Sequence, residues 1–326
     1  MAGGYSHITL VRSICGDADA LDGIPSLGPS MKRALMLYLN YVELGAVSPD
    51  YPYLCLFDKN SEGWANVMHY WHTLDFVRNA VPLVWDMNYG TKDAARCMAW
   101  LFGYTAHVVT DLIVHPVVNL KVGPYAENKT AHRVCEMNQD VYIFNAKLEQ
   151  EVSQAEYVKN CGIKSCCDPE DPQKLHPAIA DLWKKCLPPV PGTDISLGPD
   201  LATPTKTPDP NNWHKNFVMM VDKYAEEGGR LPSFVRHIAE EAALVYPDVE
   251  HVDGQYIDHL KTPEGTHISF DQLFELVQRK VKTAWGDLGS ALGNNGGPGE
   301  FALANGCLDT GRDDTGATIY WKEAIT

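Results

Sequence analysis

The sequence predicts an all-α protein, and the spacing of its apolar residues is the main reason. In several segments apolar residues recur every three or four positions, which places them on one face of a helix. The strict alternation of apolar and polar residues that a half-buried strand requires is scarce. A chain of 326 residues can bury a large core, and we interpret residues 1–326 as a single domain.

Four helices are expected in the first half of the chain, at Ser30–Leu44, from Ser61 through Leu74, at Lys92–His115 and at Ala131–Val158. The pair Ser61-Glu62 is typical of a helix start, and Trp64 to Leu74 then follow helical spacing. The third helix is the most apolar. Pro116 is expected to end it, because proline lacks the N–H that a helix needs.

The second half of the chain is less regular. Seven Pro between Leu187 and Pro210 predict an irregular insertion. Gly and Asn are frequent from Gly289 to Gly299, which predicts a flexible loop. Phe301–Thr326 has enough apolar residues to pack back on the core. Further helices are expected at His176–Cys186, Asn212–Tyr224, Pro232–Val245 and Phe270–Leu288.

Composition excludes some classes of function. The net charge of −15 argues against a long groove for nucleic-acid phosphates, which needs clustered Lys and Arg, although metal ions could still hold a small phosphorylated substrate. The sequence contains no run of eighteen apolar residues, so no membrane span is expected. Nine Cys and no visible secretory signal favour a reduced, cytoplasmic protein.

The strongest functional motif lies in the third predicted helix. His107, Asp111 and His115 are spaced at i, i+4 and i+8, so they share one helix face among Val, Leu and Ile. Buried imidazole and carboxylate groups need partners, and a divalent metal is a common one. The alternative is an ordinary polar stripe whose side chains form hydrogen bonds or face solvent.

A second motif lies in the next predicted helix. His132 and Glu136 are again four residues apart, and Asp140 follows one turn later. One such pair is weak evidence, because many surface helices contain one. Two helices of this kind joined by a short loop are much less common by chance, so the pair strengthens the metal hypothesis.

Three further positions are ambiguous when taken alone. Asp50 lies in the Pro-flanked turn Pro49-Asp50-Tyr51-Pro52 and could simply be a turn aspartate. His69 and His72 could project from one helix face, or either could be an interior histidine with a hydrogen-bond partner. His7 could belong to a terminal tail.

Taken in order, these residues resemble the ligand series of the zinc-dependent phospholipase C family, whose scaffold is shared by the single-strand-specific zinc nucleases. The resemblance covers about residues 5–155. The expected metal-site core is 1–155, with 156–326 as a helical and irregular remainder. Its most specific parts are the His-xxx-Asp-xxx-His-Pro and His-xxx-Glu motifs. The series is His7, Asp50, His69, His107, Asp111, His115, His132 and Glu136.

The resemblance implies an all-helical site for zinc. Three ligand sets follow from it: Asp50, His69, His107 and Asp111 for one ion, Asp111 and His7 for a second, and His115, His132 and Glu136 for a third. In the family the first residue of the mature chain, normally Trp, completes the second set, whereas this sequence begins Met1-Ala2-Gly3. We therefore expect two or three zinc ions.

The resemblance also implies the reaction. The expected activity is hydrolysis of a phosphodiester by a metal-bound hydroxide, with Asp50 as the catalytic residue that orients or deprotonates the water. A phospholipid is the favoured substrate, with transient contact to a membrane surface, and nucleic acid is less favoured. The alternatives are a single-strand nuclease or nucleotidase, and a non-catalytic binding protein on the same scaffold.

Two smaller sets have weaker signals. Aromatic residues near the motifs could face a choline headgroup, although most are expected to be core residues: Tyr51, Tyr53, Tyr70, Trp71, Trp100 and Tyr104. Four Cys with His176 between them could hold a structural zinc, but they lack a compact Cys-x-x-Cys unit, so ordinary thiols are favoured: Cys161, Cys166, Cys167 and Cys186.

Overall fold

A computed structural model describes residues 3–149, 162–187, 197, 201–226 and 246–322. Helices dominate this part of the chain, and its only sheets are two antiparallel pairs, which confirms the predicted all-α class. The first eight helices are α1 Gly4–Cys15, α2 Ala18–Asp22, α3 Pro29–Leu37, α4 Leu39–Val47, α5 Lys59–Tyr70, α6 Asp75–Trp85, α7 Lys92–Val122 and α8 Lys129–Leu148. A 3₁₀ helix, Ser48–Leu54, joins α4 to the turn before α5.

The remaining elements lie after residue 161, where the described part of the chain resumes. The strands are β1 Cys167–Asp168, β2 Asp171–Leu175, β3 Leu260–Lys261 and β4 His267–Ile268. The helices are α9 Pro177–Cys186, α10 Pro210–Glu226 and α11 Phe270–Gly293. The helix expected at 232–245 and half of the Pro-rich insertion lie outside the described residues.

Helix α7 is the centre of the core. It packs against α4 and α11 along its length, and Trp285 of α11 donates from Nε1 to the carbonyl of Phe102 at 2.9 Å. By length and composition α7 could cross a membrane, but its apolar window is entirely buried within the fold. Its hydrophobicity is therefore accounted for by the neighbouring helices.

Two glycines allow α4 and α7 to cross at close range. A Cβ on Gly103 would lie 2.0 Å from the carbonyl oxygen of Val42, and one on Gly45 would lie 2.1 Å from that of Trp100. Trp100 Nε1 also donates to Ser48 Oγ at 2.8 Å, just past the end of α4. The crossing holds the segment with Asp50 close to the middle of α7.

Several helix boundaries differ from the sequence predictions. The helix expected at Ser30–Leu44 is two helices, because Tyr38 breaks it with φ −120° and ψ 40°. Met36 of α3 is exposed. The predicted start at Ser61 is wrong: Asp58 caps α5, its side chain accepting from the N–H of Asn60. That helix stops at Tyr70, before the expected Leu74, and α6 and α1 were not predicted.

Helix α7 continues through Pro116 to Val122, so the predicted end at His115 is wrong. Proline removes the hydrogen bond to the carbonyl of Leu112, and the C-terminal segment packs at this point. A Cβ on Gly311, which has φ +65°, would lie 2.5 Å from both the Leu112 carbonyl oxygen and the Pro116 ring. The C-terminal segment thus packs closely against the interrupted turn of the helix.

The C-terminal segment packs back on the core, as predicted. Phe301, Leu308 and Trp321 are buried, and Trp321 Nε1 donates to the carbonyl of Ile113 at 3.0 Å. The loop expected from Gly289 begins later, because α11 extends to Gly293. The C-terminal chain thus reaches the middle of α7.

Candidate metal centre

Helix α7 places its three motif residues on one buried face, as the spacing predicted. His107, Asp111 and His115 are each no more than 1% exposed. His107 Nε2 lies 3.3 Å from Asp111 Oδ2, and His115 Nε2 lies 3.6 Å from Asp111 Oδ1. Asp111 therefore lies between two imidazoles of its own helix.

His7 joins this group from α1. It is completely buried in a helix, which excludes the tail interpretation, and its Nε2 lies 3.2 Å from Asp111 Oδ1. Its ring stacks on that of His107 with centroids 4.2 Å apart. The two oxygens of Asp111 thus face histidines from different helices.

Asp50 and His69 form the adjoining pair. Asp50 lies in the 3₁₀ helix after α4, and its Oδ1 is 3.0 Å from Nε2 of His69 near the end of α5. His72, the other candidate on this segment, is outside α5 and half exposed, and its Nδ1 lies 2.8 Å from Asp75 Oδ2. Of the two candidate histidines, only His69 faces the centre.

Backbone carbonyls orient three of the imidazoles. His69 Nδ1 bonds to the carbonyl of Ala65 and His107 Nδ1 to that of Ala46, both at 2.8 Å. His132 uses its other nitrogen, with Nε2 2.6 Å from the carbonyl of Gly123. A carbonyl accepts only from a protonated nitrogen, so the opposite ring nitrogen of each is left as a metal ligand.

The ligand atoms fall into two groups in which all atoms lie within 4.8 Å of one another. One group is His7, His107 and Asp111, and the other is Asp50, His69 and His107. His107 has one free ring nitrogen and can serve only one ion. Asp111, with two oxygens, can reach both a neighbour on α7 and His7 on α1.

The buried polar atoms of these residues indicate that the site fits zinc. Several of them have no hydrogen-bond partner of normal geometry among the described residues, although burying such groups unpaired is costly. The atoms are His7 Nδ1 and Nε2, Asp50 Oδ1 and Oδ2, His107 Nε2, His115 Nε2 and His132 Nδ1. Imidazole nitrogen and carboxylate oxygen are the donors that zinc takes in proteins.

The ligand atoms of the third expected set, His115, His132 and Glu136, lie farther apart. His132 Nδ1 and Glu136 Oε1 are 3.8 Å apart, and both residues are buried. Neither joins His115 in a group of three ligand atoms within 4.8 Å among the described residues. The assignment of all eight ligands, including this set, stays a prediction.

Asp140 has a different place from the one its spacing suggested. Its carboxylate accepts hydrogen bonds from the start of α1, and no described metal-ligand group includes it. Sequence reasoning also missed Asp309, whose Oδ1 lies 3.7 Å from His115 Nδ1 and whose Oδ2 accepts from the Tyr70 hydroxyl. Asp309 is far along the chain from every motif, so no sequence pattern indicated its role.

Burial and charge together set the protonation of the centre. Burial lowers the pKa of His7, and it lowers that of His115 to about 3, so both imidazoles are neutral near pH 7. Burial alone would raise the pKa of Asp111, but its electrostatic interaction with His115 and His107 and its hydrogen bonds with His107 and His7 hold that pKa well below its usual value. Neutral imidazole and ionised carboxylate are the forms that bind metal.

His107 carries the opposite shift. Burial alone would lower its pKa, but the carboxylates of Asp111 and Asp50 raise it. Two buried negative charges thus converge on one imidazole. A divalent cation at this position would balance the same two charges.

The structure gives no support to the hypothesis that four cysteines hold a structural zinc. None of the eight cysteines in the described part of the chain forms a disulfide, and no described metal-ligand group includes one. Cys166 instead donates from Sγ to the carbonyl of Asn40 at 3.3 Å. Cys161 lies outside the described residues.

Comparison with known proteins bears on the same segment. The sequence profile of the family described as zinc dependent phospholipase C matches residues 6–190. That range includes all of the candidate ligands and more than half of the chain. Searches of curated proteins and of solved structures found no match. On its residues, its helices and this match, the chain belongs to the zinc-dependent phospholipase C family.

Proposed function

We propose that this protein is a zinc-dependent hydrolase that cleaves the phosphodiester of a phospholipid in the manner of a phospholipase C. One observation carries the proposal. Within the family-matched segment, ring nitrogens and carboxylate oxygens from α1, α5, α7 and the 3₁₀ helix converge while fully buried, several of them without a hydrogen-bond partner among the described residues.

The residues divide into two functional sets. Asp50, His69, His107 and Asp111 would hold one zinc ion, and Asp111 with His7 would contribute to another. Bound zinc supplies Lewis acidity, which polarises the phosphate and makes water a stronger acid. Because the protein imidazoles are fixed by carbonyls of Ala46 and Ala65, little reorganisation is needed when metal and substrate enter.

Asp50 is the residue we assign to the water nucleophile. It is buried, and its pKa is lowered because the positive charge of His107 and the His69 contact outweigh the effect of burial. A carboxylate with a lowered pKa holds a proton weakly, so it suits accepting a hydrogen bond and aligning a water better than storing its proton. We therefore propose an orienting role for Asp50.

A cavity beside the centre gives the substrate a place to approach. It has a volume of about 480 Å³, and Tyr70, Trp71 and Arg312 are among its lining residues. The Tyr70 hydroxyl donates to Asp309, which faces His115, so these contacts link the wall of the cavity to one candidate ligand. Tyr51, Tyr53, Trp100 and Tyr104 are buried core aromatics, which leaves Tyr70 and Trp71 to face a headgroup.

Lipid is favoured over nucleic acid by charge. The chain carries a net −15, and strand binding depends on clustered Lys and Arg along a groove. A zwitterionic headgroup needs no such cluster. It presents one phosphate to the metal centre and one cation to aromatic faces.

The test combines metal analysis with a substrate panel. The purified protein is expected to contain at least two zinc per chain and to hydrolyse phosphatidylcholine and a chromogenic phosphodiester faster than single-stranded DNA. His107→Ala and Asp111→Ala are expected to abolish turnover. His251→Ala is the matched control, because that histidine is 73% exposed and lies outside the centre.

Three results would change the proposal. Fewer than two zinc per chain would contradict a multinuclear centre. Preferred cleavage of DNA would assign a nuclease activity to the same site. Bound zinc with no hydrolysis of any of the three substrates would favour a binding protein on this scaffold.

A further inference from the structure

The turn that joins the 3₁₀ helix to α5 exposes two large apolar side chains at its tip. The N–H of Asp58 donates to the carbonyl of Cys55 at 3.1 Å, which makes Leu56 and Phe57 the two central residues of a β-turn. Phe57 is 87% exposed and Leu56 is 42% exposed. A tip of this kind normally carries polar residues.

The backbone at Phe57 is unfavourable for this residue. Its φ is +64°, in the left-handed region, where the third turn position is usually Gly or Asn. A bulky residue there is held at a cost, and the exposed side chain gains no burial within the fold to offset it. Such a conformation points to a role outside the folded chain.

Both ends of the turn are fixed. Cys55 is buried, and its Sγ lies 3.8 Å from Nδ2 of Asn212 on α10. On the other side, the Asp58 side chain accepts from the N–H of Asn60 at 3.0 Å and from Ser61 Oγ at 2.7 Å. The two apolar side chains are therefore presented by an ordered turn.

The turn is also tied to the candidate metal centre. It connects the 3₁₀ helix that carries Asp50 with α5, which carries His69, and these two residues are 3.0 Å apart. From Lys59 to His69 the axis of α5 rises about 15 Å. Contact at the tip would thus hold the centre within about 15 Å of whatever surface the tip enters.

We propose that Leu56 and Phe57 form a membrane-contacting tip, which inserts into a neutral or zwitterionic lipid surface and holds the enzyme on its substrate. This inference rests on the proposed lipid substrate. The size of the tip favours a lipid surface, since two side chains cover about 400 Å² at most, half of what each partner buries in a stable protein interface. A net charge of −15 disfavours an anionic surface.

The experiment measures binding to vesicles apart from hydrolysis. Zinc-loaded protein is sedimented with vesicles of a phosphatidylcholine analogue in which a carbon replaces the ester oxygen between glycerol and phosphorus, so that the bond a phospholipase C would hydrolyse is absent. Phe57→Asn removes the apolar side chain with a residue that tolerates the left-handed backbone. We expect its partition onto vesicles to fall roughly tenfold or more, and Leu56→Ser with Phe57→Asn to lower it further.

A matched control separates the tip from general surface hydrophobicity. Leu37, 62% exposed at the end of α3, is replaced by Ser and is expected to leave partition unchanged. Zinc content and the thermal midpoint of each variant report on folding. Equal losses in the Leu37 and Phe57 variants, or wild-type partition by Phe57→Asn, would overturn the proposal.

The wild-type protein distinguishes the two proposals. If it binds no vesicles yet hydrolyses phosphatidylcholine and a chromogenic phosphodiester, the proposed tip is wrong and the proposed function stands. If it binds vesicles through Phe57 yet hydrolyses nothing, the tip stands and the enzymatic proposal is wrong. A Phe57 variant that alters oligomeric state in light scattering, with partition unchanged, would assign the tip to self-association.

Discussion

Asp140 of α8 accepts a hydrogen bond from the backbone N–H of Ser6 at 2.7 Å and another from the Ser6 hydroxyl at 2.6 Å. The same carboxylate accepts from the N–H of Tyr5 and from the Tyr246 hydroxyl, at 3.2 and 3.0 Å. It thereby satisfies the open N–H groups at the start of α1 from another helix. His7, the next residue after Ser6, is positioned by this contact.

Replacing Asp140 is predicted to affect both folding and the candidate metal centre. Asp140→Ala removes the acceptor of the Tyr5 N–H and of the Ser6 and Tyr246 hydroxyls, so we expect it to lower the free energy of unfolding by about 3 kcal/mol. It should also lower the zinc content, because His7 loses its support. Urea denaturation and metal analysis measure these effects. Tyr246→Phe removes one donor only, and a loss as large as that of Asp140→Ala would contradict the prediction.

A second prediction follows from the close crossing of α4 and α7. Gly103→Ala places a methyl group 2.0 Å from the Val42 carbonyl oxygen, so the helices must separate. We expect the free energy of unfolding to fall by about 2 kcal/mol or more. Gly28→Ala is the control, because its Cβ would meet no atom within 4 Å, and its effect is expected to stay within about 1 kcal/mol. Similar thermal midpoints for the two variants would refute the close crossing.

Metal removal is predicted to destabilise the protein. A ligand that binds only the folded state stabilises it by mass action, by about 4 kcal/mol when free zinc is a thousand times the dissociation constant. Chelation should therefore lower the thermal midpoint, and added zinc should restore it. His107→Ala should lose most of this response, whereas His251→Ala should keep it. A midpoint that is indifferent to zinc in the wild type would show that the centre binds none.

Asp309 is predicted to support the metal centre through His115. Carboxylates that face a ligand histidine typically change metal affinity by about ten- to a hundredfold when they are replaced. Asp309→Asn is therefore expected to speed zinc loss to a chelator by at least about tenfold. Asp314→Asn, an exposed aspartate of the same segment, is the control. Equal rates of zinc loss in the two variants would assign Asp309 a purely structural role.

His214 is predicted to make stability depend on pH. Burial lowers its pKa to about 4, and its Nδ1 lies 2.9 Å from the Tyr51 hydroxyl. Because the unfolded chain binds a proton near pH 6.5 and the folded chain does so only near pH 4, stability is full above pH 6.5 and falls as pH drops to 4. The loss reaches about 3 kcal/mol at 1.4 kcal/mol per pKa unit.

The measurement compares urea unfolding at pH 7.5, 6 and 5 in the wild type and in His214→Gln. The glutamine can keep a hydrogen bond to Tyr51 but does not titrate in this range. The difference between the two proteins should shrink as pH falls, while the candidate ligands titrate alike in both. A difference that is constant with pH would exclude His214 as the source.

The sequence was most informative where helix geometry alone sets the distance between side chains. His107, Asp111 and His115 were predicted to share one face because a helix fixes the spacing of residues four apart. The same reasoning failed at Pro116, where the helix continues and Gly311, far along the chain, packs against it. Local patterns cannot show such contacts.

The remaining parts of the centre depend on long-range packing. The position of His7 is set by Asp140 across α1 and α8, and no boundary of α1 could be predicted from the sequence. Asp309 reaches His115 only because the C-terminal segment folds back. The family resemblance supplied His7, Asp50 and His69 where spacing was ambiguous, and nothing in the sequence singled out Asp309 or Phe57.

The return of the C-terminal segment onto α7 has a consequence for protein production. Residues 6–190, which the family profile matches, do not include α11, Asp309 or Trp321, yet these cover Phe102, His115 and Ile113 of the central helix. An excised fragment ending at residue 190 would expose that helix to water and leave His115 without its acidic neighbour. On the ribosome, the same face of α7 would stay uncovered until Trp321 has emerged.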